Sequence, residues 1–123
     1  MELPITGQRV SVAASEYMVE VTTVGGFELQ IEGDMEIQSS CGDRWPIALA
    51  NGGGSQVELE PVLRGAITSA VVDSSGTLTI DLDSGNRLVV PPDDEYEAWT
   101  LVGPNGYRVV CMPHGELATW TAD

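Results

Sequence analysis

Hydrophobic and polar residues alternate along most of the chain, which is the pattern of a β-strand with one buried face. No long window keeps the 3.6-residue period of an amphipathic helix. Turn-forming residues recur about every ten residues, a spacing typical of antiparallel meanders. The pattern predicts a mainly β fold with strands at 8–13, 17–24, 27–32, 66–73, 76–83, 86–91, 97–102, 107–112 and 117–121.

Two stretches of the chain repeat one pattern of a glycine, two strands, a glycine turn and a third strand. The units cover about 7–33 and 65–91. Because a three-strand meander leaves an apolar face uncovered, we expect the two units to pack face to face about a pseudo-twofold axis. With a C-terminal hairpin and final strand at 96–121, they predict a sandwich or partly open barrel in a single domain of residues 1–123.

The segment between the two units, residues 41–64, is the least regular part of the chain. Ser55-Gln56-Val57-Glu58 matches a helix capping box, but Pro61 would interrupt a helix that began there. One short helix near 60–64 is therefore expected, with Pro61 in its first turn and Gly65 ending it. The alternative is an α+β fold, in which this segment is more helical.

The charge of the chain is strongly acidic. Nineteen Asp and Glu residues against five Arg and no Lys give its 123 residues a formal net charge of −14. Such a charge repels phosphate backbones and anionic lipid headgroups, so neither a nucleic acid nor a membrane is an expected partner. A basic protein is the partner that the charge favours.

Other features of the sequence bear on compartment and cofactors. The N-terminus lacks a basic segment followed by an apolar run, so we expect a cytoplasmic protein. Cys41 and Cys111 are expected to be free thiols in that compartment. No motif indicates a cofactor or a metal site, since Cys41, Cys111 and His114 supply only three of the four ligands of structural zinc.

The last third of the chain carries a distinctive set of residues: Pro91-Pro92-Asp93, Tyr96-Glu97-Ala98-Trp99, Leu101, Gly103-Pro104, Gly106, Arg108-Val109-Val110, Pro113, Gly115-Glu116-Leu117-Ala118 and Trp120. It resembles an actinobacterial family of uncharacterised small proteins whose members end in PPDxxYEAWxLxGPxGxRVVxxPxGELAxW. The resemblance covers about 30 residues closely. It implies a bacterial domain without an assigned reaction, and toxin immunity is an expectation for proteins of this kind.

Two groups of residues are candidates for binding. Asp93, Asp94, Glu95 and Tyr96 follow two prolines and combine negative charge with an aromatic contact, as partner-binding surfaces do. Trp99, Tyr107 and Trp120 are the candidates for lining a ligand pocket. For Trp99 a place in the core is the competing interpretation, because it shares one strand face with Leu101.

The remaining acidic residues and the nucleophiles give weaker signals. Glu32, Asp34 and Glu36 alternate, so on a strand they would project from one face, as would Asp81 and Asp83. Cys111 and His114 are three residues apart and would point to opposite faces of a strand, and no other nucleophile motif is present.

No catalytic residue is therefore assigned, and a non-catalytic interaction protein, such as a toxin-immunity or inhibitor protein, is the favoured function. A small-molecule-binding β-barrel is the main alternative. A carboxylate-dependent hydrolase is a weaker one, since the many acidic residues offer pairs at suitable distances.

Overall fold

The computed structural model describes residues 1–15, 18–47 and 59–120. Eleven antiparallel strands, containing about half of the chain, form one sheet. The strands are β1 (Arg9–Ala14), β2 (Val19–Thr23), β3 (Glu28–Ile31), β4 (Met35–Gln38), β5 (Arg44–Ile47), β6 (Gly65–Val72), β7 (Leu78–Leu82), β8 (Arg87–Val90), β9 (Trp99–Val102), β10 (Arg108–Cys111) and β11 (Leu117–Trp120). The mainly β prediction is confirmed, and each of the nine predicted strands is present.

The order of strands across the sheet is β11-β10-β9-β3-β2-β1-β6-β7-β8-β4-β5. The sheet is not closed into a barrel, because the strands at its two edges, β11 and β5, do not pair with each other in the part of the chain described. The sheet has a single hydrophobic core, to which the buried residues of β1–β3, β6–β8, β9 and β10 all contribute. The open, folded sheet agrees with the predicted sandwich or partly open barrel.

Both predicted meanders are present, as β1-β2-β3 and β6-β7-β8. They join edge to edge through β1 and β6, where Arg9 pairs with Ala66 and Val10 pairs with Gly65. Each meander is then extended by strands that follow the other one in sequence. β4 follows β3 but pairs with β8, while β9 follows β8 but pairs with β3. This exchange covers the outer edge of each meander, which would otherwise present unpaired backbone groups.

Two crossover segments make the exchange, residues 32–34 between β3 and β4 and residues 91–98 between β8 and β9. They contact each other, since the backbone N–H groups of Glu32 and Gly33 both donate to the carbonyl oxygen of Ala98, at 3.0 and 3.2 Å. A Cβ at Gly33 would lie 3.3 Å from the Cα and Cβ of Ala98. Small residues at both positions therefore allow the two backbones to cross closely.

The alternation of Glu32, Asp34 and Glu36 on one strand face is a wrong prediction. β4 begins only at Met35, so Glu32 and Asp34 lie on the crossover, and Glu36 alone lies on the strand. Met35 and Ile37 are buried and supply the apolar side of β4.

β5 was also not predicted. Its residues Arg44, Trp45 and Pro46 are exposed, and Pro46 is tolerated because this strand lies at the edge of the sheet.

Where a short helix was predicted near 60–64, the described residues 59–63 form a single helical turn. The N–H groups of Val62 and Leu63 both donate to the carbonyl oxygen of Leu59, at 3.1 and 2.9 Å, and Leu59 and Leu63 are buried. The alternative α+β fold depended on residues 41–64, of which 48–58 lie outside the described residues; the other helical elements of the described part are short 3-10 turns at Pro104–Gly106 and Pro113–Gly115. The capping box at Ser55 lies outside the described residues. Within the described ranges, no helix combines the length and apolar character needed to span a bilayer.

Candidate functional site

Four loops meet where the crossovers leave the sheet. Besides the crossovers 32–34 and 91–98, they are the β6–β7 turn at 73–77 and the β10–β11 turn at 112–116. The N–H of His114 donates to the carbonyl oxygen of Asp93 at 2.8 Å, which ties the last turn to the second crossover. The backbones of Gly76 and Gly115 pack against each other and tie the two turns together. We name these four loops the crossover surface.

The crossover surface is dense in negative charge. It contains eight carboxylates, of which Asp93 is half-buried and the others are exposed: Glu32, Asp34, Asp73, Asp93, Asp94, Glu95, Glu97 and Glu116. The four loops contain no Arg or Lys. Their basic side chain is His114, whose Nδ1 lies 3.2 Å from Oδ1 of Asp94. The surface therefore presents a strong negative potential at neutral pH.

The predicted partner-binding residues lie together on the second crossover. Oδ1 of Asp93 accepts hydrogen bonds from the backbone N–H groups of Glu95 at 2.8 Å and Tyr96 at 3.3 Å. Asp93 thus fixes the loop from within, whereas Asp94 and Glu95 extend into solvent. Tyr96 is 51% exposed and supplies an aromatic surface among these acids.

Asp73, on the β6–β7 turn, has a carboxylate stabilised by several hydrogen bonds. Its Oδ1 accepts the hydroxyl of Ser75 at 2.6 Å and the backbone N–H groups of Ser75 and Thr77 at 2.8 and 3.1 Å. The side-chain hydrogen bond from Ser75, followed by these backbone bonds, lowers the pKa of Asp73. The carboxylate therefore stays ionised to lower pH than an ordinary Asp.

All the arginines lie away from this surface. Each stands at the beginning of a strand, or next to it, at the strand end opposite the crossovers: Arg9, Arg44, Arg64, Arg87 and Arg108. Two of them neutralise carboxylates of the strands, since Arg44 is 3.5 Å from Glu36 and Arg87 is 2.6 Å from Asp81. The fold therefore separates the arginines of the chain from its largest group of carboxylates.

A family model matches residues 1–121 of the chain, which is almost its full length. The chain belongs to DUF6188, a family of unknown function. No curated protein and no solved structure matches it significantly. Membership in DUF6188 confirms the resemblance to an uncharacterised domain family. The actinobacterial source and the C-terminal signature stay predictions.

The three aromatic residues predicted to line a pocket are not brought together in this DUF6188 chain. Trp99 is fully buried in the core, where its Nε1–H donates to the carbonyl oxygen of Gly76 at 3.2 Å. Tyr107 lies at the other end of the β9–β10 hairpin and packs edge-on against Phe27, with ring centroids 5.6 Å apart. Trp120 is 54% exposed, with the guanidinium of Arg108 stacked on its ring. The core interpretation of Trp99 is therefore the correct one.

The cysteines and the histidine lie in different environments. Cys41 is an exposed free thiol in the β4–β5 turn, and Cys111 is a free thiol buried at the end of β10. Burial raises the pKa of Cys111, so it remains a protonated thiol. His114 is exposed and pairs with Asp94 rather than with Cys111. Among the described residues, no three His, Cys, Asp or Glu side chains are grouped to hold a metal ion.

A carboxyl pair on β2 and β3 was missed by sequence reasoning. Glu20 pairs with Gln30 and Glu28 pairs with Thr22, which makes the two glutamates diagonal neighbours on one face of the sheet. Their hydrogen bond, together with partial burial and the charge of Glu28, raises the pKa of Glu20. The signal in the sequence was the alternation of Glu20 with Val19 and Val21, but it did not identify the facing residue.

The Glu20→Gln substitution is expected to raise the melting temperature at pH 7. Because the pKa of Glu20 is raised in the folded protein, folding takes up a proton, and stability falls as pH rises above about 4.5, the ordinary value. Once Glu20 and Glu28 are both ionised, their carboxylates repel each other. The amide that the substitution introduces would instead donate a hydrogen bond to Glu28. Thermal melting of wild type and Glu20→Gln at pH 7 and at pH 4 tests this. The increase in melting temperature is expected to be smaller at pH 4. An equal change in the exposed Glu95→Gln variant would contradict the pairing.

Proposed function

We propose that this protein is a non-catalytic interaction protein that docks a basic protein through the crossover surface. The observation that supports the proposal is the set of eight carboxylates on four contacting loops that contain no arginine. Long-range attraction between such a surface and a basic partner speeds their encounter, and it disfavours nucleic acids and anionic membranes. The separation of the arginines from this surface keeps the attraction from being cancelled locally.

Contact residues also support the proposal. Tyr96 offers a large and partly apolar contact with few rotatable bonds, as interface anchors do. The hydrogen bonds from Glu95 and Tyr96 to Asp93 hold the loop in one conformation before binding, which reduces the entropy lost on association.

A toxin-immunity or inhibitor role is the specific form of this function that we favour, in a cytoplasmic setting. An acidic inhibitor associates rapidly with a basic nuclease or other basic toxin, and it competes with the nucleic acid for the same positive surface. A gene for a basic toxin next to the gene for this protein would support that role. The ligand-binding barrel has less support, because Trp99 is buried in the core, Tyr107 packs on Phe27, Trp120 is exposed, and the sheet is not closed.

Paired substitutions of equal charge test the crossover surface. We expect Asp94→Asn/Glu95→Gln to slow association with a basic partner and to weaken its dependence on salt. The control, Asp43→Asn/Asp83→Asn, changes net charge equally but lies in turns at the strand ends opposite the crossovers. Asp93 is kept because it holds the loop. Basic proteins captured from a lysate of the source organism by immobilised wild type serve as the binding partner for kinetic measurement by surface plasmon resonance.

This comparison decides whether the partner docks on the crossover surface. Slower association in the crossover variant alone supports the proposal, and equal effects of the two variants overturn it in favour of net charge. Tyr96→Ala is expected to speed dissociation by about tenfold, the effect of removing an aromatic anchor. An unchanged dissociation rate would exclude Tyr96 from the interface.

A further inference from the structure

A groove of about 370 Å³ lies between β1 and the helical turn at 59–63. Its walls include Arg9 and Ser11 from β1, and Glu60, Arg64 and Gly65 from the other side. The volume falls within the range of small-molecule sites, which begins at about 300 Å³. This groove lies at the strand ends opposite the crossovers and shares no residue with the crossover surface.

Two arginines of the groove differ from the other three in the chain. Arg44 and Arg87 form ion pairs with carboxylates, and Arg108 stacks on Trp120. Arg9 and Arg64 form no ion pair or side-chain hydrogen bond with any residue in 1–15, 18–47 or 59–120. In a chain with 19 acidic residues and five arginines, two unpaired guanidinium groups on one groove leave their donors available to a ligand.

We infer that this groove binds a small molecule through its carboxylate or phosphate group, with Arg9 and Arg64 as the donors. A guanidinium presents N–H groups in a planar fork that matches the oxygen atoms of both anions. Ser11 adds a hydroxyl on the β1 side of the groove. Glu60 also lines the groove, and its charge makes a ligand with a single anionic group fit better than a polyanion. The other three arginines are already engaged by Glu36, Asp81 or Trp120, so Arg9 and Arg64 are the pair left for an anion.

Titration of the ¹⁵N-labelled full chain with inorganic phosphate, and separately with acetate, tests the inference at ionic strength held constant with sodium chloride. Saturable shifts are expected at the backbone amides of Val10, Ser11 and Gly65, which line the groove. A stronger response to phosphate assigns the site to a phosphoryl group, and a stronger response to acetate assigns it to a carboxylate. Shifts that grow linearly without saturation for both anions would overturn the proposal.

Single substitutions assign the donors. Arg9→Gln and Arg64→Gln are each expected to weaken binding about tenfold, because each removes charge-assisted hydrogen bonds. The matched control Arg44→Gln, an exposed arginine outside the groove, is expected to leave binding unchanged. Equal weakening in all three variants would show that binding depends only on the net charge of the protein, and it would overturn the site.

A thermal shift keeps this test independent of small folding defects. The anion that binds more tightly is expected to raise the melting temperature of wild type, since it binds the folded state, and to raise that of Arg9→Gln much less. An equal rise in both proteins would overturn the inference. Since neither arginine lies on the crossover surface, the result is independent of partner docking.

Discussion

Replacement of Trp99 by Ala is expected to lower the free energy of unfolding by about 3–5 kcal/mol. Trp99 is fully buried at the start of β9, between neighbours on β3 and β10. The substitution leaves a cavity that the surrounding β-sheet cannot fill by a small movement. It also removes the Nε1–H that donates to the carbonyl oxygen of Gly76 at 3.2 Å.

Urea denaturation of wild type, Trp99→Ala and Trp120→Ala measures this effect. Trp120 is the matched control, because it is 54% exposed and its main contact is the stacking of Arg108. Its replacement is expected to cost about 0.5–1 kcal/mol, the value of an exposed cation–π contact. Equal losses in the two variants would contradict the placement of Trp99 in the core.

Strands with one buried face could be predicted from the sequence because burial imposes the alternation directly. In β7, Leu78, Ile80 and Leu82 are buried, while Thr79 and Asp81 between them are half-buried. β4 has the same alternation, with Met35 and Ile37 buried, but it was not predicted, because Glu32, Asp34 and Glu36 were considered only as a possible acidic face. β5 could not be predicted, because an exposed edge strand buries too little to impose a period.

The strand exchange could not be predicted, because alternation identifies a buried face and not the neighbouring strand. Three residues connect β3 to β4, a length that usually joins adjacent strands. Here the connection instead carries the chain from one meander to the other. The crossing requires close contact between Gly33 and Ala98. The small size of these two residues is the only trace of that contact in the sequence.

Only part of the crossover surface could be predicted for the same reason. Two prolines and neighbouring acids indicated a partner-binding segment at Asp93, Asp94, Glu95 and Tyr96. Asp73 and Glu116 join it through contacts between turns that are distant in sequence, so no local pattern could identify them. The grouping of Trp99, Tyr107 and Trp120 failed because residue type was used without knowledge of their positions on β9, β10 and β11.

Replacement of Gly115 by Ala is expected to lower the free energy of unfolding by about 2–5 kcal/mol, a loss comparable to that of Trp99. Gly115 has φ +91°, and a Cβ there would overlap the carbonyl oxygen of Ser75. The left-handed conformation costs an alanine about 1–2 kcal/mol, and overpacking adds about 1–3 kcal/mol. Because the overlapped atom belongs to the backbone, the β6–β7 turn must move as a whole. That movement would also disturb the Gly76 carbonyl group, which accepts the indole N–H of Trp99 and the thiol of Cys111 at 3.2 and 3.5 Å.

The Gly106→Ala variant separates the contact from the backbone conformation in this last experiment. Gly106 has φ +83° and no neighbouring atom within 4 Å of an added Cβ, so its replacement is expected to cost only about 1–2 kcal/mol. Urea denaturation of both variants gives the difference, which measures the packing of the two turns. Equal costs would show that Gly115 is needed for its backbone conformation alone. A larger cost at Gly115 means that the turns holding Asp73 and Glu116 are fixed to each other by direct backbone contact, which gives the acidic surface a rigid base.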